Sequence, residues 1–139
     1  ARSGYADWLE DLTVRTEVYD EIQRKFNDHD LIISPVTICH PVRNADDRNT
    51  LGPREFLGEK IEPMIGFSMT YFYNFTGHPA ASVPLGLSKE GFPLSMQIAG
   101  RRFHDTDVLT ASAVFEKIQP WLWIYQATAE RDLGQTTTI

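Results

Sequence analysis

The sequence predicts an α/β fold, a mixed β-sheet covered by helices, and three observations carry that prediction. Stretches with apolar residues every three to four positions alternate with short β-branched runs. The resulting order, helix, strand, helix, strand pair, helix, is that of helices layered on a sheet. The 139 residues are 42% hydrophobic and 12% aromatic, enough for a packed core and too apolar for a disordered chain.

Each element has its own local cause. Tyr5 to Asn27 reads as a helix, because Trp8, Leu12, Tyr19, Ile22 and Phe26 recur at helical spacing with charged residues between them. Leu31-Ile32-Ile33 is an unbroken apolar run ended by Ser34-Pro35, so it reads as a strand with both faces covered. His40 to Gly52 is polar, with Pro41, Asn44, Asp46, Asp47 and Asn49, and reads as a surface loop. Pro53 suits a first helical turn, and a helical stretch is predicted from it to about Tyr73, with a break near Pro63. Gly77 is placed to adopt a positive φ before the next strand. Ala81–Leu85 and Leu94–Ile98 flank the turn residues Lys89–Pro93 and read as an antiparallel pair. Pro84 puts the first of them at an edge or a strand end. Asp105 reads as the N-cap of a helix from Thr106 to Ile118, with Val108, Ala111, Phe115 and Ile118 on its inner face. Pro120 ends it, Trp121 and Trp123 are expected to fold a tail back onto the body, and Gly134 to Ile139 reads as loose. One strand and a hairpin make a small sheet for so much helix, so further strands are expected from a longer chain, as is the case for a piece without an initiator Met.

Bulk properties narrow the function. A net charge of −6 is the wrong sign for a phosphate-tracking surface, so no nucleic acid is expected as partner. No apolar run approaches the roughly 18 residues of a membrane span. No apolar signal segment follows Ala1-Arg2-Ser3-Gly4. Cys39 is the single cysteine, which excludes an internal disulfide and fits a reducing compartment.

No self-sufficient catalytic set is visible. Cys39-His40 invites a thiol-hydrolase reading, but neighbouring side chains rarely face one another, and a base would come through the fold from His29, His78 or His104. The simpler reading of Cys39 is a half-buried loop residue. His78, between Gly77 and Pro79, is either a proton carrier beside a pocket or a turn residue at a helix-to-strand junction, and the turn reading is preferred. No His, Cys, Asp or Glu residues fall at metal-ligand spacing, so no metal or other cofactor is expected. Arg101-Arg102 reads as a solvated pair rather than an anion clamp, and Asp105 and Asp107 as a helix-start charge pattern. Ser34, Ser82 and Ser95 lack a sequence-visible base and do not sit in a nucleophile elbow. Gln97, on an otherwise apolar strand, must find hydrogen-bond partners, most simply in a neighbouring loop.

The run Tyr71-Phe72-Tyr73-Asn74-Phe75-Thr76-Gly77-His78-Pro79-Ala80-Ala81-Ser82-Val83-Pro84 resembles the C-terminal signature stretch of amidase-signature enzymes. So does Gly91-Phe92-Pro93-Leu94-Ser95-Met96-Gln97-Ile98-Ala99-Gly100, which is similar to the family's Gly-x-Pro-x-x-x-Gln-x-x-Gly. Upstream, Asp30–Thr37 resembles the family strand that ends in Pro, and the likeness spans roughly Tyr5 to Trp121. The chain is thereby identified as residues 1–139 of the C-terminal part of a single amidase domain.

That resemblance implies amide hydrolysis through a serine nucleophile, a second serine on a cis peptide and a lysine base. The family carries these upstream of the stretch matched here. No Gly-Gly-Ser-Ser-type loop occurs in this chain, and Lys25, Lys60, Lys89 and Lys117 do not match the family lysine, so no catalytic residue is assigned. Asn74 and Gln97 read as architectural. In the glutamine-using tRNA amidotransferase branch a carboxylate on the helix before this signature holds the substrate's amino group, and Phe67 aligns near it. An aromatic ring cannot pair with an ammonium, so an apolar or aromatic acyl group is expected. Phe67, Thr70 and Tyr71 are the candidate substrate-binding residues, with a buried-core role as the alternative. The partners implied are a small-molecule amide and the N-terminal part of the same protein, with a homodimer compatible and a cytoplasmic location. The rival reading is a non-catalytic binding or assembly module derived from this fold.

Overall fold

The computed structural model describes residues 4–46 and 50–130. The expected loose tail at Gly134–Ile139, and Asp47 and Asn49 of the expected loop, lie outside the described residues. The elements in order are α1 (Tyr5–Lys25), β1 (Leu31–Pro35), β2 (Glu55–Phe56), β3 (Glu59–Lys60), α2 (Tyr71–Thr76), β4 (Ala80–Leu87), β5 (Pro93–Gly100), α3 (Asp105–Ile118) and α4 (Leu122–Ala129).

The main sheet has the order β1-β5-β4, so the last strand in sequence is the central one. Both of its pairings are antiparallel, with Leu31 opposite Gly100 and Pro35 opposite Met96 on one side, and Ala81 opposite Ile98 on the other. The register of β4 shifts between Pro84 and Gly86, at the outer edge where a missing N–H and a bulge are tolerated. Helices on an antiparallel sheet place the chain in the predicted α/β class.

The core lies between the sheet and α3. Val83, Ile98 and Val108 are its buried centre, with Leu31, Ala81, Met96, Ala111, Phe115 and Trp121 packed around them. Burial of each central side chain contributes roughly 1.5–3 kcal/mol. A second junction forms where α1 packs on α2. There Arg101 reaches back from the end of β5. Its Nη2 donates to the Phe26 carbonyl at 2.7 Å and to the His29 carbonyl at 3.3 Å, and its Nη1 to Asp30 at 3.4 Å. These carbonyls lie just past the end of α1, where backbone acceptors lack helical partners. Arg101 is therefore a clasp between distant segments and not the solvated residue expected. Arg102 lies over the Tyr19 and Phe103 rings.

Four further expectations are corrected. The helical stretch from Pro53 to Tyr73 is instead a small hairpin, β2–β3, followed by turns and the six-residue α2. Leu57 and Gly58 both have positive φ and make the hairpin turn, while the Glu62 carboxylate accepts from the N–H groups of Met64 and Ile65 and wraps the next turn on itself. Asp105 is the first helical residue of α3 rather than its cap. The N-cap position falls to His104, whose ring meets Asp107 at 3.1 Å. Asp105 and Asp107 still oppose the positive end of the helix. Ile118, expected on the inner face, is the last residue of α3 and is 76% exposed. Ile33 is 62% exposed, since β1 is an edge strand and this side chain opens onto a cleft instead of a covering layer. Beyond Pro120 the chain forms α4, which buries Ile124, and Trp121 packs on Phe115 at 6.1 Å. Among the described residues no helix is long and apolar enough to cross a membrane.

Candidate functional site

At the end of the sheet where β1 finishes and β5 begins, the chain leaves a cleft of about 710 Å³. One wall runs from Ile33 through the segment after β1 to Val42. The opposite wall comes from Leu85 and from Pro93 to Met96, and Phe67 completes the lining. The polar groups on these walls are Ser34, Thr37, Cys39, His40 and Ser95, and among the described residues no carboxylate, lysine or arginine joins them. The volume and the apolar lining with a few polar points suit a small-molecule site.

Phe67 reaches the cleft because its backbone is pinned to the opposite segment. Ile38 N–H donates to the Phe67 carbonyl at 3.0 Å, and Met69 N–H donates to the Val36 carbonyl at 2.9 Å, on either side of a single bridge between Thr37 and Ser68. The other two predicted substrate-binding residues do not line this cleft. The Thr70 hydroxyl shares a hydrogen bond with Ser68 at 2.9 Å. Tyr71 is 49% exposed and stacks on Phe75 at 6.1 Å. Asn74 lies inside the six-residue α2. The cap of α2 is Gly77, whose φ of 73° and N–H to the Tyr73 carbonyl at 2.8 Å close the helix.

Behind the cleft a polar relay stiffens the floor. Gln97 is 2% exposed, and its Nε2 donates to the Ser34 hydroxyl at 3.2 Å and to the Met69 carbonyl at 3.3 Å. Ser34 is also hydrogen-bonded to the Tyr73 hydroxyl. Burial raises the pKa of that phenol, and the Ser34 bond opposes the rise. Gln97 thus joins β1, β5 and the segment leading to α2, the loop partner its sequence context demanded. His78 sits deeper, against Phe26, Tyr19 and Tyr73. Its Nδ1 lies 2.7 Å from the Thr76 hydroxyl and its Nε2 3.0 Å from Gln23 Oε1. Burial first, and the Arg102 guanidinium second, hold its pKa below the ordinary histidine value. It does not line the cleft, so the junction role read from the sequence is the one its surroundings match.

Two cleft residues carry no mark in the sequence. Ile38 precedes the stretch that reads as polar loop and Val42 lies inside it, and only the fold brings them into one cleft with Leu85, Leu94 and Met96. The available signal was the apolar residues scattered through that loop.

Residues 2–109 match the family model described as Amidase, and the chain belongs to this family. It is similar to the acylamidase of Rhodococcus erythropolis, with 32% identity over 110 residues that span 77% of this chain and 22% of that protein. A glutamyl-tRNA(Gln) amidotransferase subunit from Myxococcus xanthus (strain DK1622) is 32% identical over 121 residues, spanning 83% of this chain and 22% of the relative. The crystal structure of a bacterial aryl acylamidase of the amidase-signature family matches with a TM-score of 0.86 at 45% identity, covering 94% of this chain and 26% of that one. The chain therefore spans only about a quarter of the length of these relatives.

Proposed function

We propose that the full-length protein hydrolyses the C–N bond of an amide with an apolar or aromatic acyl group, and that this part walls the acyl pocket. The observation that carries the reading is the cleft beside Phe67, whose described lining is mainly apolar and holds no carboxylate. An acyl group bearing an ammonium would be buried there without a counter-charge, at a cost of several kcal/mol. An aryl or alkyl group would gain roughly 25 cal/mol per Å² of apolar surface removed from water. Similarity to an acylamidase and an aryl acylamidase supports amide hydrolysis.

On this reading the serine, cis-serine and lysine of the acyl-enzyme mechanism lie in the part of the protein that precedes this chain, and residues 1–139 are the C-terminal piece of one amidase domain. That preceding part is the main packing partner, and the protein acts in the cytoplasm, alone or as a homodimer. Thr70 and Tyr71 would meet substrate only if the preceding part extends the pocket beyond the cleft.

The test is made on the full-length protein. A fluorophosphonate serine probe should label it, and Phe67→Asp should lower kcat/KM for aryl amides about tenfold or more. Labelling with an unchanged substrate preference removes Phe67 from the pocket. No labelling and no amide turnover favours the rival reading, a non-catalytic module derived from the amidase fold.

A further inference from the structure

Phe67 owes its place in the cleft wall to a residue outside it. Gly52 lies against one edge of the Phe67 ring so closely that a Cβ built on it would stand 2.3 Å from Cδ1 and 2.6 Å from Cε1. No carbon can be tolerated at that distance. Gly52 has no φ in the left-handed region, so alanine is acceptable to its own backbone, and the ring alone excludes it. Neither partner is free to back away. Gly52 N–H donates to the Pro63 carbonyl at 2.6 Å, and the Phe67 backbone is held by the bond from Ile38 N–H to its carbonyl and, two residues on, by Met69 N–H donating to the Val36 carbonyl, on either side of the Thr37–Ser68 bridge. Relief must come from rotation of the Phe67 side chain, and the open volume it borders is the cleft.

We infer that Gly52 is a positioning residue for acyl-group specificity: by lacking a side chain it lets the Phe67 ring lie back and sets the depth of the cleft. This rests on the reading of the cleft as the acyl pocket. Any side chain at position 52 turns the ring into the cleft and shortens the largest acyl group that fits. A glycine-to-alanine change at a loop position that touches no substrate then acts as a change of substrate range.

The experiment compares the full-length wild-type enzyme with Gly52→Ala, Phe67→Ala and the double variant, on p-nitroanilides with acetyl, butyryl and benzoyl groups. Gly52→Ala should raise KM progressively with acyl size, with kcat/KM for the benzoyl amide falling about tenfold relative to the acetyl amide. Phe67→Ala should move the preference the other way, and the double variant should match Phe67→Ala, because no ring remains to be displaced. A loss in Gly52→Ala that is equal for all three amides, or that persists in the Phe67→Ala background, overturns the inference. Phe67→Ala with an unchanged acyl preference removes the pocket reading itself, and the inference with it. Should Gly52→Ala alone be insoluble, recovery of soluble enzyme in the double variant supports the steric link, and failure to recover refutes it.

Discussion

At the scale of single residues, Gln97 and His78 are buried polar side chains that tie distant segments of the chain together. Gln97 was legible because an amide in an apolar strand has to be satisfied somewhere. That its partners are Ser34 and the Met69 carbonyl depends on β1 pairing with β5 across the chain. His78 reads as a turn residue, and the structure adds that both ring nitrogens are engaged in a buried junction of α1 with α2. Its folded-state pKa is depressed, so the unfolded chain binds this proton more readily than the folded one. The stabilisation is complete above about pH 6.5, the ordinary histidine value, and is lost as pH falls through it towards the folded value. We expect the melting temperature of the full-length protein to drop between pH 7.5 and 5.5. His78→Asn should lower stability at pH 7.5 and flatten that dependence. Parallel pH slopes for the two proteins would assign the effect to other groups.

At the scale of elements, those whose geometry follows from local sequence were legible and those made by turns were not. The periodicity of α1 and the turn between β4 and β5 are local facts, and each appears within a few residues of its prediction. The β2–β3 hairpin escapes a sequence reading for a physical reason. Its turn is Leu57-Gly58 with φ of 52° and 87°, a conformation usually announced by Asn-Gly or Asp-Gly. A leucine held in the left-handed region costs about 1–2 kcal/mol, and this one is 88% exposed and gains little from packing. Leu57→Asn should therefore stabilise the full-length protein by about 0.5–1 kcal/mol, read as a rise in melting temperature without loss of activity. A fall would mean that Leu57 is covered in the whole protein. Phe67 reads as a helical residue and sits on a turn, yet it still lines the cleft, because its place ahead of the Tyr71–Pro84 signature does not depend on the helix.

At the scale of the molecule, the described chain has two unpaired sheet edges, β1 and β4, and a small core. Trp8, Leu9, Leu12, Ile33, Phe72, Leu109 and Leu122 are all exposed. Edges and apolar faces of this kind invite association. We expect the isolated chain to aggregate or to lack a cooperative melt, and co-expression with the preceding part of the protein to recover it in soluble form. A monomeric isolated chain with a sharp thermal transition would contradict this. The central position of β5 was not visible in the sequence, because strand order is set by pairings between distant segments.

That strand order also has a consequence in time. The partner of β1 lies about sixty residues further along the chain, with Pro35 opposite Met96. A ribosome adding roughly 5–20 residues per second needs some seconds to cover that distance. Throughout that interval Leu31-Ile32-Ile33 is outside or inside the exit tunnel without its sheet, while β4 and β5 can pair almost as soon as both have emerged. The hairpin is the surface that β1 waits for, and Arg101, which directly follows β5, then fastens the end of α1 to that sheet.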